Sequence, residues 1–295
     1  MARRKHHQLL HRIKKKNEPV FGESLQNGYR DKEDYQIVKG KFSDILQYVF
    51  VIRELTAREI KRKYARSSLG IIWSVLNPLL MMVVISLIFS TMFKRKIENF
   101  PIYFLTGQTL WGLFSGATNA AMTALVDNKS LLIKAKLPKH TFILSRVYTS
   151  LVNFGYTCIA FVLMLLIFRI KPSFTMLLFP ICIIFALLFS IGIGYFLATL
   201  YVFFADIKHL YGIFLTLLMY LSAIFYPVDS LPEAMQFVIN WNPVYLQILF
   251  ARECVMYGHF PEPWVWIRLI IWCVGSLLFG MIVFKSKENK IMQTI

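Results

Sequence analysis

Residues 174–204 read FTMLLFPICIIFALLFSIGIGYFLATLYVFF and contain neither a charged residue nor a histidine. A bilayer core of about 30 Å is crossed by about 20 helical residues, so this stretch predicts a membrane-spanning helix. Five further apolar stretches extend the pattern to six predicted spans, at about 69–93, 102–126, 147–168, 174–204, 210–228 and 264–284. The last includes Arg268 near its start, where a long cationic side chain can snorkel to the membrane surface. The predicted fold class is all-α and integral to a membrane.

Composition and charge placement predict how this domain is oriented. The chain has 295 residues, 57% of them hydrophobic, with a mean hydropathy of +0.54, so one membrane domain uses nearly all of it. More than half of the 33 lysines and arginines precede residue 69, and half of the others lie in the loop 127–146 and the tail 285–295. The positive-inside rule then predicts that both termini are cytoplasmic. The net charge of +17 is accounted for by this topology, and no nucleic-acid partner is expected.

Two segments outside the spans have their own predicted organisation. Residues 1–41 are basic and polar, typical of a disordered cytoplasmic tail, and contact with membrane lipid headgroups is an open possibility for them. Residues 42–68 alternate apolar and charged residues at helical spacing, which predicts an amphipathic helix in the cytoplasmic interface. Residues 69–284 form the predicted six-span domain, and residues 285–295 form a cytoplasmic tail.

Between the last two spans, residues 234–241 and 244–250 are apolar but too short to cross, and Asn242-Pro243 separates them. They predict an extracellular re-entrant helical hairpin that gates a cavity mouth. In the second span, Gly112, Gly116 and Ala120 repeat every four residues, which predicts a helix-packing face. The packing partner is either another span of this chain or a second copy of it.

Several kinds of chemistry are absent from the sequence. It contains no phosphate-binding loop, no HExxH, no GxSxG, and no carboxylate pair within a span, and its four cysteines lack metal spacing. We therefore expect no catalytic residue, metal or cofactor in this chain. If it moves a substrate uphill, the energy must enter from a partner through the loop 127–142 and the turn 206–209. In that loop, Asn128 is a candidate helix N-cap, an apolar edge follows, and Pro138 is a stop.

The run KYARSSLGIIWSVLNP, residues 63–78, resembles the Tyr-x-x-Ser-x-Leu-Gly-x-x-Trp-x-x-x-x-Pro signature of bacterial type-2 ABC exporter permeases for polysaccharides. Further resemblance lies in the loop 128–138, in Ala205-Asp206-Ile207, in Tyr226-Pro227, and in Asn242-Pro243 followed by Arg252. Ala205 departs from the family, many members of which have an arginine before the aspartate.

This resemblance implies the membrane subunit of an ATP-driven exporter of lipid-linked polysaccharide, such as O-antigen, teichoic acid or capsule, in the bacterial inner (plasma) membrane. It implies a homodimer joined to two copies of an ABC-type ATPase, with ATP and Mg in that partner. The implied ATPase-coupling residues are Asn128, Leu131, Leu132, Ile133, Lys134, Pro138, Asp206, Arg58 and Arg62. The implied exit-gate residues are Phe225, Tyr226, Pro227, Trp241, Asn242 and Pro243.

A sliding polymer requires many weak contacts, which aromatic faces supply to sugar rings without charge. The predicted channel-lining residues are Trp73, Asn77, Phe89, Phe93, Tyr103, Trp111 and Phe114. Two alternatives stay open at this point: a permease for small molecules, and a membrane-embedded transferase acting on lipid-linked sugars. The transferase would use the outer-side polar residues Asp229, Glu233, Glu253, His259 and Glu262.

Overall fold

The computed structural model describes residues 41–65, 67–93, 97, 99–134 and 137–294, except for the side chains of residues 41–47 and 90–93. The predicted tail 1–41 therefore lies outside the described residues, apart from the backbone of residue 41. The chain divides after Phe50 into two units, and every contact below lies within the second unit, Val51–Ile295.

Every regular element in the described ranges is helical. The helices are α1 Lys41–Tyr64, α2 Ile72–Phe93, α3 Phe100–Asp127, α4 Lys129–Lys134, α5 Lys139–Ile167, α6 Phe179–Phe203, α7 Ile207–Tyr220, α8 Glu233–Asn240, α9 Pro243–Arg252 and α10 Pro263–Thr294. Two 3₁₀ turns, Phe174–Leu178 and Val228–Ser230, and one π-helical turn, Glu253–Tyr257, complete them. We call the side with α4 and the start of α5 the basic end, and the side with α8 and α9 the hairpin end.

Four helical segments are long and apolar enough to cross a membrane, judged by length and composition within the described residues. They are Ile72–Phe89, Lys139–Ile167, Phe174–Phe203 and Pro263–Thr294. The predicted second span corresponds to α3, which is long enough at 28 residues but less apolar, because Gly, Thr, Ser, Asn and Gln interrupt it. The predicted fifth span corresponds to α7, a shorter apolar helix of 14 residues.

Helix α3 lies at the centre of the described structure and packs against α2, α5, α6 and α9. Its buried threonines are compatible with this position because each donates to the carbonyl one turn earlier, as Thr106 does to Ile102 at 2.7 Å and Thr109 to Leu105 at 2.6 Å. A polar side chain satisfied by its own helix avoids the penalty of an unpaired group in an apolar core. The lower hydropathy of α3 is therefore consistent with a helix buried by protein.

The closest helix packing joins α6 to α10. A Cβ on Gly280 would overlap the carbonyl of Gly192, and a Cβ on Gly192 would overlap the backbone around Ser276. Gly194 lies similarly close to Ala121 of α3, where an added Cβ would be 2.8 Å from the alanine methyl. Small residues on α6 thus allow the backbones of neighbouring helices to approach closely.

Several helix ends differ from the predicted bounds. Helix α1 ends at Tyr64, not at residue 68, and α7 ends at Tyr220, well before the predicted residue 228. After Tyr220 the backbone turns, and Ala223 adopts a left-handed conformation with φ of 47°, which a continuing helix does not permit. Helix α10 continues to Thr294, so most of the predicted tail 285–295 is helical. The two predicted short pieces around Asn242-Pro243 correspond to α8 and α9.

Candidate functional site

A large groove of about 820 Å³ opens between the end of α1, α2, α3 and α5. Its floor is the small-residue face of α3, formed by Gly112, Gly116 and Ala120. A Cβ added to Gly112 would meet no atom within 4 Å, and one added to Gly116 would meet only the Ser150 hydroxyl, at 3.8 Å. The predicted packing face is therefore not closely packed by another helix in the described chain. It is instead the open floor of the groove.

One wall of the groove is a row of polar side chains on α5: Thr149, Asn153 and Thr157, each four residues apart. Thr149 donates to the Ser145 carbonyl at 2.8 Å, and the Asn153 amide donates to the Thr149 carbonyl at 2.9 Å. Thr157 does the same less closely, at 3.3 Å from the Asn153 carbonyl. Because their hydroxyl donors are used within the helix, Thr149 and Thr157 present mainly acceptor oxygens, whereas the Asn153 oxygen already accepts from Lys63 at 3.1 Å.

The opposite wall comes from α2, with Trp73, Asn77 and Pro78, and Gln108 of α3 lies beside it. Trp73 and Asn77 were predicted to line a channel, and both line this groove. Within the described part of the chain, the side-chain amides of Asn77 and Gln108 make no hydrogen bond. Each offers two donors and an acceptor. The groove therefore carries unused hydrogen-bonding capacity of both kinds.

Charged residues lie at the basic end of the groove and centre on Glu59 of α1. Its Oε2 accepts from Arg146 of α5 at 2.8 Å and from Arg62 at 2.8 Å. Arg146 also donates to Asp127 at 3.1 Å. Arg146 and Glu59 are about nine-tenths buried, so this ion pair is shielded from solvent. It fixes α1 against the junction of α3 and α5.

A second polar link runs parallel to the first. Arg58 donates to the side-chain oxygen of Asn128 at 2.8 Å, and the Asn128 amide donates to the Ala124 carbonyl at 2.8 Å. The predicted N-cap role of Asn128 is therefore not what its side chain does, since that side chain turns back to close α3. Its backbone carbonyl accepts from Leu131 and Leu132 instead. Two predicted coupling residues, Arg58 and Asn128, are thus in direct contact.

The other predicted coupling residues are distributed unevenly. Leu132 is 4% exposed and belongs to the apolar core with Leu55 and Ile291, because the turn after Asn128 points it inward. Leu131 is partly buried, whereas Ile133 is 61% exposed. Pro138 precedes α5, and Lys134, Arg62 and Asp206 are exposed. The predicted apolar docking edge is therefore reduced to Ile133 and part of Leu131.

A smaller hollow of about 270 Å³ lies beside the predicted cytoplasmic loop 127–142, which contributes Lys129 to its lining. It is lined by Lys129 of α4, by Ala205 in the turn before α7, and by Thr294 at the end of α10. The loop 127–142 and the turn 206–209 are distant in sequence. The fold brings Lys129 of the loop and Ala205, which directly precedes the turn, to one hollow. Lys129, Ala205 and Thr294 therefore lie around one hollow at the basic end.

The predicted exit-gate residues lie at the hairpin end, where most of them make specific contacts. Asn242 caps α9 by accepting from the Val244 amide at 2.9 Å and donates to the Leu221 carbonyl at 3.0 Å. Phe225 packs between Phe89 and Phe104, with ring centres 6.1 and 5.7 Å away.

Three further contacts complete this set. The carbonyl of Tyr226 accepts from the Tyr103 hydroxyl at 2.8 Å. The guanidinium of Arg268 lies 4.5 Å above the Trp241 ring. Pro227 precedes the 3₁₀ turn Val228–Ser230. The hairpin is therefore tied to α3 and α10 by side-chain contacts.

Arg252 organises the hairpin end and was not among the predicted site residues. It is 2% exposed, lies 3.3 Å from the Tyr103 ring centre, and donates to the carbonyls of Ala223 at 3.0 Å, Tyr103 at 3.2 Å and Ile224 at 3.2 Å. Neighbouring Glu253 is half-buried, and burial together with the nearby Glu262 carboxylate raises the pKa of Glu253 to about 7. A cation in the mostly apolar run 244–252 is the sequence signal that could have identified Arg252.

Most of the predicted channel-lining aromatics lie elsewhere in the structure. Tyr103, Trp111 and Phe114 are 5%, 7% and 2% exposed, and all three belong to the main apolar core. The reason is the central position of α3, which is covered on most of its faces. Phe89 packs against Phe100 and Phe225 at the hairpin end, and the Phe93 side chain lies outside the described residues. Among the described side chains of this predicted set, Trp73 and Asn77 line the groove.

Comparisons with known proteins add family information to this geometry. A family model described as "ABC-2 type transporter" matches residues 51–248, which include α2, α3 and α5. An O-antigen export system permease protein of Myxococcus xanthus is 27% identical over 85% of this chain and 98% of its own length. A polysialic acid transport protein of Escherichia coli is 24% identical over 82% and 95% of the two chains. A capsule polysaccharide export inner-membrane protein of Haemophilus influenzae is 24% identical over 80% and 90%.

Proposed function

The chain belongs to the ABC-2 type transporter family, and from that premise we propose that it is the membrane subunit of an ATP-driven exporter of lipid-linked polysaccharide. It is a multi-pass membrane protein. The observation that carries the proposal is the alignment with O-antigen, polysialic acid and capsule export proteins over nearly their whole length. Those proteins share one kind of cargo, a bacterial surface polysaccharide.

In this proposal six segments cross the bacterial inner membrane, with both termini in the cytoplasm and the hairpin re-entrant from outside. The groove forms one half of the translocation path, and a second copy of the chain closes it. The open floor at Gly112 and Gly116 supports this, because in the described chain no side chain fills that space. A groove of hydroxyl, amide and indole groups offers a glycan many weak contacts and no deep binding site.

The basic end is the proposed docking surface for a separate ABC-type ATPase, present in two copies, which binds ATP and Mg. Support comes from the hollow between Lys129 and Ala205 and from the exposed Ile133, which lies in the same short helix as Lys129. A push on α4 is transmitted to α1 through the Arg58–Asn128 hydrogen bond and through the Arg146–Glu59 pair. Helix α1 in turn contributes Tyr64 to the groove, so the linkage ends at the path itself.

The hairpin end is the proposed exit gate. Phe225 and its ring partner Phe89 join the segment after α7 to α2, which is a wall of the groove. Because Arg252 fixes that segment to α3 and α9, we propose that the hairpin moves as a unit when α2 shifts.

Replacement of Ile133 by aspartate tests the docking surface. The exporter is reconstituted with the ATPase from the neighbouring reading frame, and ATP hydrolysis and glycan export are measured. We expect export to fall and hydrolysis to lose its dependence on the membrane subunit, while insertion and folding stay unchanged because Ile133 is exposed. Phe260→Asp, at an apolar position that is 67% exposed and lies outside the predicted spans, controls for an added charge on an apolar surface.

Export at the wild-type rate by the Ile133→Asp variant would contradict the docking role alone. Normal surface polysaccharide in cells that lack the whole chain would contradict the exporter function. The two proposals therefore fail by different results.

A further inference from the structure

Helix α10 reaches both ends of the described structure. Its 32 residues, Pro263–Thr294, extend over about 48 Å at 1.5 Å per residue, whereas a bilayer core is about 30 Å thick. Pro263 is the first residue of the helix, and α10 contains no other proline that would break it. The helix is therefore long enough and continuous enough to connect the hairpin end to the basic end.

The first turns of α10 hold both helices of the hairpin. Arg268 donates to the carbonyl of Asn240, the last residue of α8, at 2.8 Å, and its guanidinium lies 4.5 Å from the Trp241 ring centre. Trp266 packs edge-on against Phe250 of α9, with ring centres 4.8 Å apart. Because one side chain contacts α8 and the other contacts α9, a shift of the start of α10 acts on both helices.

The last turns of α10 are fixed at the basic end. Lys139, at the start of α5, donates to the Glu288 carboxylate at 3.2 Å and to the Glu288 backbone carbonyl at 3.0 Å. The Lys139 side chain is only 14% exposed, so these contacts are partly shielded from water. Ile291 is fully buried and belongs to the same apolar cluster as Leu132 of α4. The end of α10 is therefore attached to α5 and shares a core with α4.

Between its two ends, α10 is in backbone contact with α6. The overlap that a Cβ on Gly280 would make with the Gly192 carbonyl shows that the two main chains touch. A side chain can absorb a small shift by changing its rotamer, but a main-chain contact cannot. Tyr195 of α6 and Phe284 of α10 also pack together, with ring centres 5.2 Å apart. A displacement at one end of α10 is therefore transmitted along the α6–α10 pair.

We propose that α10, braced by α6, transmits the ATP-driven movement from α4 to the hairpin. Lys139, Glu288 and Ile291 are the positioning residues at its cytoplasmic end. This inference rests on the proposed function, because it takes α4 as the site of the ATPase push and the hairpin as the exit gate. It adds a connection that includes neither α1 nor α2. Coupling between distant sites travels through rigid elements of this kind, which contact both sites directly.

Labelling of the hairpin in the assembled exporter tests this connection. Met235 of α8, which is 45% exposed, is replaced by cysteine, and the complete complex with its ATPase is placed in proteoliposomes. The rate of labelling by a membrane-impermeant maleimide is measured with and without ATP. The chain without Met235→Cys gives the background from the four native cysteines. We expect ATP to change the labelling rate at least about threefold, because it shifts the population of hairpin conformations.

Lys287→Pro interrupts α10 between its apolar part and its cytoplasmic anchor. Lys287 is exposed, so no packed side chain is lost, but a proline there removes a helix hydrogen bond and clashes with the carbonyl of Val283. We expect this variant to lose the ATP-dependent change in labelling and at least about nine-tenths of export, while it still supports ATP hydrolysis. Lys287→Ala is the matched control, and it should behave like the wild type in labelling, export and hydrolysis.

A second variant keeps the helix continuous. Ile291→Ala removes part of the buried contact with the cluster of Leu132, so it should reduce both the ATP-dependent change in labelling and export, with hydrolysis unchanged. Met292→Ala, at the neighbouring position that is 43% exposed, is its control and should match the wild type. Thermal unfolding in detergent identifies a variant that fails to fold. If Lys287→Pro does not fold, the comparison of Ile291→Ala with Met292→Ala decides the question.

A full ATP-dependent change in labelling in the folded Lys287→Pro and Ile291→Ala variants would overturn the inference, because the movement would then reach the hairpin through α2. A wild-type exporter that shows no ATP-dependent change at position 235 would overturn both the inference and the gating role of the hairpin. Neither result contradicts the exporter function, which fails only if cells that lack the chain keep normal surface polysaccharide.

Discussion

Replacing Arg252 by alanine should destabilise the whole hairpin end. The guanidinium is 2% exposed, donates to three carbonyls at 3.0, 3.2 and 3.2 Å, and lies 3.3 Å from the Tyr103 ring centre. Hydrogen bonds from a charged donor contribute about 1.5–3 kcal/mol each, but burial of the charge opposes them by several kcal/mol. Removal of one member of such a buried network leaves the others unpaired and typically lowers the free energy of unfolding by about 3–5 kcal/mol.

The assay is thermal unfolding in detergent, followed with a thiol-reactive fluorophore. Cys182, Cys254 and Cys273 are buried, so their labelling reports loss of the core. At about 2–4 °C per kcal/mol, the melting temperature of Arg252→Ala should fall by at least about 6 °C. Arg268→Ala is the matched control on a neighbouring helix, because Arg268 is more exposed and donates to one carbonyl, that of Asn240 at 2.8 Å.

The control should lower the free energy of unfolding by only about 1 kcal/mol. Equal shifts for the Arg252→Ala and Arg268→Ala variants would refute the reasoning, since they would mean that the three carbonyls find other partners. The melting temperature of Arg252→Lys should lie between those of the wild type and the alanine variant, because one ammonium group cannot bind all three carbonyls as the planar guanidinium does.

Three further predictions concern packing, pH and charge. Gly192→Ala should lower the melting temperature strongly, because the added Cβ would overlap the backbone of α10. Gly275→Ala should not, because a Cβ there would meet nothing within 4 Å. Similar melting temperatures for the two variants would contradict the close approach of α6 and α10. The melting temperature of the wild type should fall as pH rises from about 5 to about 8, because the folded Glu253 carboxyl, with its raised pKa of about 7, binds a proton more tightly than the unfolded one. Glu253→Gln should remove this fall. A variant with the same pH profile of melting as the wild type would refute this role of Glu253. A double-mutant cycle of Arg146→Gln and Glu59→Gln should give a coupling of about 1–3 kcal/mol in chemical unfolding, and a coupling near zero would mean that the pair does not hold α1.

Uniform hydropathy made some elements predictable from sequence. The apolar stretch 174–204 corresponds to a 3₁₀ turn and α6, and the stretch 147–168 ends one residue after α5, because a long run without charge has few alternatives to a membrane helix. The short helices α8 and α9 followed from a proline that breaks an apolar run. These features depend on local composition alone.

Packing partners were less predictable, because a helix that is apolar on all faces does not show which face is covered. Phe114 and Trp73 are both aromatic residues in predicted spans, yet Phe114 is buried against Phe189 and Trp73 lines the groove. Small residues likewise show that a close approach is possible, not that it occurs. Gly112 leaves an open floor, whereas Gly192 contacts the backbone of another helix.

The basic end and the hairpin end are held by different forces, and this difference bears on where movement begins. At the hairpin end, Arg252 donates to neutral carbonyls that salt does not screen. At the basic end, Glu59 of α1 pairs with the buried Arg146 of α5, which also pairs with the partly exposed Asp127 of α3, so part of this charge network weakens as ionic strength rises. If export begins with release of α1, moderate salt should raise the rate of uncoupled ATP hydrolysis before it lowers the melting temperature. If both change at the same salt concentration, α1 and the hairpin end separate in one step, and the movement does not begin at the basic end.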